Sequence, residues 1–209
     1  MNQLLDQESS RIFCHRGIWD ASVPQNSLMS FNSAQMNGMS IETDIRFFID
    51  QVVIEHDLPK ASSILMASNL FDYNVTFALN LKEDGLQFFF EEAREWLDST
   101  KSFVFDGSIP QMLQYSKLGI RHAMRLSEYE LDLNWNPKII WLDSFESDWW
   151  LNDQRIESKI EGSEVIVVSP ELHGRDPRAV WDFLAEERQH GRFNLSICTD
   201  RPLEFKAWI

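Results

Sequence analysis

The chain has 209 residues, 44% hydrophobic and 25% charged, the make-up of a soluble globular protein with room for one large core. Nineteen Lys and Arg against 33 Asp and Glu leave a formal charge of −14, which argues against nucleic-acid binding, because phosphate contacts need clustered basic side chains. Two cysteines are too few for a disulfide scaffold, and residues 1–10, MNQLLDQESS, hold neither a basic nor an apolar stretch, so reduced thiols, no leader peptide and a cytoplasmic setting are expected.

Short apolar runs alternate with segments of helical spacing, and no run nears the ~18 apolar residues of a membrane span. The first strand is expected over Arg11 to His15, followed by a helix from Asn26 to Asn37 that Gly38 stops. A second strand runs from Ser40 to Phe48, turns at Ile49-Asp50-Gln51 and returns over Val52 to His56. A short helix is expected near Ala61 to Ser68. Further strands are expected at Thr76 to Lys82, Ser102 to Phe105, Ala123 to Leu126, Ile139 to Leu142, Glu164 to Val168 and Asn194 to Cys198. Helices fall between them at Gly85 to Asp98, Gln111 to Leu118, Trp149 to Ile160 and Pro177 to Gln189, the last with Asp176 as its cap. Eight strands, most followed by a helix, predict an α/β chain folded as a (β/α)8 TIM barrel in one compact domain over residues 1–209, with an open doubly wound sheet as the rival.

A barrel carries its chemistry at the C-terminal ends of its strands. Polar residues gather there: His15-Arg16, then Glu42 and Asp44 two apart and therefore on one strand face, then His56-Asp57, then Asn80 and Lys82 again on one face. Asp106, Asp143, Glu171 with His173, and Asp200 follow at later strand ends. Each alone has a plain structural reading, since a single strand-end histidine is more often hydrogen-bonded than reactive. Together they pose a charge problem, because so many ionised groups need compensation when water is excluded. A divalent cation on Glu42 and Asp44 is one answer, with oxygen ligands suiting Mg2+ or Ca2+. A phosphate held by Arg16 and Lys82 is the other, with two histidines left as general acid and base. That combination describes metal-assisted cleavage of a phosphodiester.

The ordered motifs His15-Arg16-Gly17, Pro24-Gln25-Asn26-Ser27, Glu42-Thr43-Asp44, His56-Asp57 and Asn80-Leu81-Lys82 resemble those of the glycerophosphodiester phosphodiesterase family. The likeness is strong over residues 11–57, continues to Lys82 and is architectural beyond. It implies that His15 and His56 are the paired acid and base, that Arg16 contacts phosphate, and that Lys82 stabilises developing charge. It also implies that Glu42 and Asp44 are metal ligands, with Asn80 standing where the family has a third carboxylate. Asp106, Asp143 and Glu171 are candidates to replace that missing charge. Gln25 stands where the family has Glu, read here as a change at the start of the helix without consequence.

In the C-terminal half, Glu171, His173, Arg175 and Asp143 are expected to face the substrate, with His173 and Arg175 near a second phosphate or a sugar. Trp141, Trp149 and Trp150 are read mainly as core. The expected partner is a small-molecule phosphodiester, glycerophosphodiester-like or a sugar phosphate of surface-polysaccharide metabolism. The alternative is a non-catalytic relative that binds a phosphorylated ligand. Oligomeric state is not legible in the sequence.

Overall fold

Ile12, Phe13 and Cys14 are all buried, the continuous apolar signature of a strand covered on both faces, and they form β1 (Ile12–His15). The computed structural model describes residues 11–59, 64–131 and 137–209. Residues 1–10, read above as lacking a leader, and the start of the helix expected from Ala61 lie outside these. The chain divides into two compact units, Met1–His122 and Ala123–Ile209.

In the first unit the parallel order is β1, β2 (Ser40–Phe48), β5 (Phe77–Leu81), β6 (Phe103–Phe105). The second half of β2 also pairs antiparallel with β3 (Gln51–Ile54), which in turn pairs with β4 (Leu65–Met66). Ile49 and Asp50 both take left-handed φ, the geometry a two-residue hairpin turn demands. The return expected from the sequence is therefore present.

Helix α1 (Leu28–Met36) opens on a reciprocal capping box between Ser27 and Ser30. Its Phe31 sits edge-on to Tyr73 and Phe77, which ties the helix to the sheet. The single helix expected from Gly85 to Asp98 is two, α2 (Gln87–Glu92) and α3 (Arg94–Thr100), divided at Ala93. Phe89 stacks on Phe71 while Phe90 turns to Tyr115, so side-chain anchoring in two directions accompanies the break. Near Ala61 to Ser68 the expected helix is instead the short β4 and a 3-10 turn, Ala67–Asp72. Helix α4 (Ile109–Leu118) begins on the Ser108 cap and ends at left-handed Gly119.

The second unit has parallel strands in chain order: β7 (Met124–Leu126), β8 (Ile139–Leu142), β9 (Glu164–Val168), β10 (Asn194–Thr199). The expected helix from Trp149 to Ile160 is a 3-10 turn, Trp149–Asn152, then α5 (Gln154–Ile160), because the Asp153 carboxylate accepts from the Arg155 amide and starts a new helix. Helix α6 (Arg178–His190) starts after Pro177, and the Asp176 carboxylate takes the Arg178 amide, as a capping group does. Helix α7 (Pro202–Trp208) was not expected from the pattern. It places Phe205 and Trp208 edge-on to the buried Trp181. The α/β class and the eight parallel strands of the expected barrel are thus present, four in each unit. No helix among the described residues is long and apolar enough to cross a membrane.

Candidate active site

Chain geometry at the end of β1 is unusual. Arg16 and Gly17 take left-handed φ of 59° and 86°, turning the chain sharply after His15. Gly17 is obligatory there, since a Cβ would collide with Ser30 on α1. Arg16 is a non-glycine residue in this region and is held in it by three backbone contacts. Its carbonyl accepts from the Asn26 amide at 3.0 Å and the Ser30 hydroxyl at 3.1 Å, and its amide donates to the Glu42 carbonyl at 2.9 Å.

Register then aligns the side chains. His15 pairs with Glu42, and Asp44 pairs with Asn80, so β1, β2 and β5 present their polar residues side by side. Both carboxylates are buried, with side chains 1% exposed. Asp44 lies at the centre of the charge. Arg16 Nε is 3.0 Å from its Oδ2, Lys82 Nζ is 2.8 Å from its Oδ1, and Asn26 Nδ2 donates to Oδ2 at 2.8 Å. His15 Nε2 is 3.8 Å from Glu42 Oε2. Burial by itself would raise Asp44, but Lys82, Arg16 and Asn26 outweigh it and hold this carboxyl below its ordinary range. Glu42 goes the other way. Burial and then the charge of Asp44 push it up to about 7, against the partial relief of His15, Lys82 and Arg16.

These shifts make a prediction for the protein in chelator. Glu42 holds its proton more tightly in the folded chain than in an unfolded one, so its contribution to stability is full at low pH and lost as pH rises from 4.5 to about 7. The loss is on the order of 3 kcal/mol, and Glu42→Gln should remove it. Asp44 acts oppositely, its contribution fading only as pH falls below 3.8. Urea midpoints recorded across that range would check this; a wild type and Glu42→Gln with parallel pH profiles would refute it.

Asn26, left without a role by the motifs, and Gln25, read from the sequence as a change without consequence, complete the cluster. Asn26, itself at left-handed φ, bridges Asp44 and the Thr43 hydroxyl, which donates to its Oδ1 at 2.7 Å. Gln25 Oε1 accepts from Arg16 Nη1 at 3.0 Å, so its amide helps aim the guanidinium. Their adjacency to Ser27 in the helix-opening motif was the available signal. His56 lies past β3 and is half exposed, its Nδ1 2.9 Å from Asp57 Oδ1 and its carbonyl taken by Arg46 Nη1 at 3.1 Å. Among the described residues, no three His, Cys, Asp or Glu side chains converge in a way that would hold a metal. Asp106 follows β6 with left-handed φ.

In the second unit, two of the four residues expected to face substrate pair with each other and the other two are engaged elsewhere. Asp143 Oδ1 lies 2.8 Å from His173 Nε2. Arg175 spends its guanidinium on Asp148 Oδ1 at 2.5 Å and the Ser144 carbonyl at 2.6 Å. Glu171 accepts from the hydroxyls of Ser169 and Thr199 and from the Asp200 amide. Trp141 and Trp150 are buried, and Trp149 donates to the Asp143 carbonyl at 3.1 Å.

No protein-family model matches the chain, and no curated protein matches it. Solved structures do. A glycerophosphodiester phosphodiesterase from Agrobacterium tumefaciens is 18% identical, with 94% of this chain and 98% of that one aligned at a TM-score of 0.67. A glycerophosphoryl diester phosphodiesterase from Parabacteroides distasonis is 14% identical, with 95% and 85% aligned at a TM-score of 0.69. The alignment covers nearly the whole of this chain, and the chain therefore has the fold of the glycerophosphodiester phosphodiesterases.

Proposed function

We propose that the protein is a divalent-metal-dependent phosphodiesterase acting on a glycerophosphodiester-like or sugar-phosphate diester. The carrying observation is the buried pair Glu42 and Asp44 set against His15, Arg16 and Lys82. The donors suit a hard cation in kind. Glu42 and Asp44 offer carboxylate oxygens, and Asn80 is in register with Asp44 on the next strand. Glu42 is a buried carboxyl short of countercharge, since Arg16 and Lys82 both address Asp44. Glu42, Asp44 and Asn80 would hold the ion, which supplies Lewis-acid polarisation of a phosphoryl oxygen when bound.

The side chains do the rest. Arg16 and Lys82 engage the charged phosphoryl oxygens, Arg16 through its planar fork and Lys82 as a point charge. One histidine removes the proton from the attacking oxygen, a water or a substrate hydroxyl. As the bond from phosphorus to the departing oxygen breaks, the other histidine protonates the leaving alcohol. His15 stands against the buried carboxylates, whereas Asp57 fixes His56 through Nδ1 and leaves its Nε2 for proton transfer.

The second reading is a phosphate-binding relative without turnover. It draws on Asn80 and on the commitment of both Arg16 and Lys82 to Asp44. Turnover of glycerophosphodiesters and bis(p-nitrophenyl) phosphate with Mg2+ or Ca2+ separates the two. A folded protein inert with every divalent metal would leave the second reading. Asn80→Glu adds a charged oxygen donor at the position in register with Asp44 and should tighten metal binding about tenfold or more by calorimetry. Unchanged affinity would mean that Asn80 does not face the ion.

A further inference from the structure

Past the C-terminal ends of β7, β8 and β9 lies a polar and aromatic cluster that the proposed chemistry does not use. Asp143, directly after β8, is 6% exposed. Its Oδ1 accepts from the Ser144 amide at 2.9 Å and faces His173 Nε2 at 2.8 Å. A carboxylate can only accept, so the paired arrangement puts a proton on Nε2, and in the neutral ring Nδ1 is then an acceptor. The His173 ring rests on Phe145 with centroids 5.0 Å apart, and Phe145 in turn contacts Tyr129 at 6.1 Å. Tyr129 is 68% exposed, yet its hydroxyl donates to the Glu146 carboxylate. A large aromatic ring is therefore held in place at the surface from two directions.

Burying a carboxylate and immobilising an exposed ring both cost free energy, and neither enlarges the core. An apolar face beside a few convergent polar atoms is the make-up of a small-molecule site. The atoms on offer are acceptors: His173 Nδ1 and the carboxylates of Asp143 and Glu146. Acceptors of negative character favour a ligand rich in O–H donors and free of anionic charge. Two guanidiniums lie nearby and both are engaged within the protein: Arg125 sits over the Phe145 ring at 5.6 Å and faces Glu130 at 3.8 Å, and Arg175 bonds Asp148 and the Ser144 carbonyl.

We propose that Tyr129, Phe145, His173 and Asp143 form a subsite for an uncharged polyol ring, a pyranose or cyclitol, whose C–H face stacks on Tyr129 while its hydroxyls donate to the acceptors around His173. The subsite stands on the geometry of the second unit alone and does not depend on the phosphodiesterase reading.

The test is ligand-observed NMR on the full chain with methyl α-glucopyranoside, methyl α-galactopyranoside and myo-inositol as probes, and inorganic phosphate as the anionic control. At least one ring probe should saturate in the millimolar range, with Tyr129→Ala and Asp143→Asn each weakening it roughly tenfold and His15→Ala leaving it unchanged. Tyr129 is exposed, so its truncation keeps the fold and the test remains decisive if Asp143→Asn unfolds. Absence of saturable binding by all three probes would overturn the subsite. So would binding that Tyr129→Ala leaves intact, or phosphate binding that His173→Ala abolishes.

Discussion

Replacing His15 with alanine should lower kcat by about 10²–10⁴-fold on a glycerophosphodiester while leaving KM within a few-fold, the range for removing one proton-transfer group. The proposed mechanism assigns the charge-bearing contacts to phosphate to Arg16 and Lys82, so ground-state binding should survive the change. His15 is one-fifth exposed, and its Nε2 stands 3.8 Å from the Glu42 carboxylate, too far for a strong ion pair to be lost with the ring. Folding should therefore persist, and near-native thermal melting of the variant is part of the expectation. The leaving group adds a second reading of the same variant. p-Nitrophenolate departs without protonation, so an acid-type His15 would lose little on bis(p-nitrophenyl) phosphate and much on an alkyl diester. A base-type His15 would lose comparably on both. A variant with unchanged kcat on every substrate would remove His15 from the reaction.

Asp44→Asn should cost about 3 kcal/mol of folding stability, at the lower end of the range for breaking a buried ion pair. Asp44 carries the charge that Arg16, Lys82 and the Asn26 amide all address. Asparagine keeps the shape and loses the charge, leaving two cations beside a neutral amide and Glu42. Arg16 and Lys82 remain about one-fifth exposed and recover some hydration, which moderates the loss. Urea unfolding should show a lower midpoint with an unchanged m-value. A loss below ~1 kcal/mol would place the cluster with surface ion pairs and discount its role as the anchor of the site. Lost metal affinity in the same variant would tie that anchor to the proposed ion.

Much of the site is legible in the sequence because strands have a period of two and parallel pairing is regular. Glu42 and Asp44 had to share a face, as did Asn80 and Lys82, and pairing of β2 with β5 put Asp44 level with Asn80. His15 had to stand at a strand end because Arg16-Gly17 cannot continue one, and the left-handed φ values there agree. Helix continuity was harder to read. The spacing of Leu86, Phe90, Ala93 and Leu97 is helical throughout, yet Phe89 and Phe90 answer to different partners and the backbone divides at Ala93.

By itself, then, the sequence determined the α/β class, the positions of the eight parallel strands and the set of polar residues at their ends, because hydrophobic periodicity and turn chemistry are local properties. Which of those polar groups spend their charge on one another was decided by tertiary structure. Arg175 and Glu171 are engaged by Asp148, Ser144, Ser169 and Thr199, while Asp143 meets His173 from 30 positions away in the chain. Gln25 and Asn26, a plain helix opening in one dimension, become the brackets of Arg16 and Asp44 in three. Hydrogen-bond partners and burial depend on distances between segments remote in sequence, and no local pattern carries that information. The same holds for proton affinity: Glu42 and Asp44 are two residues apart with opposite shifts, because burial and the neighbouring Asp44 charge raise Glu42 while Lys82, Arg16 and Asn26 outweigh burial at Asp44.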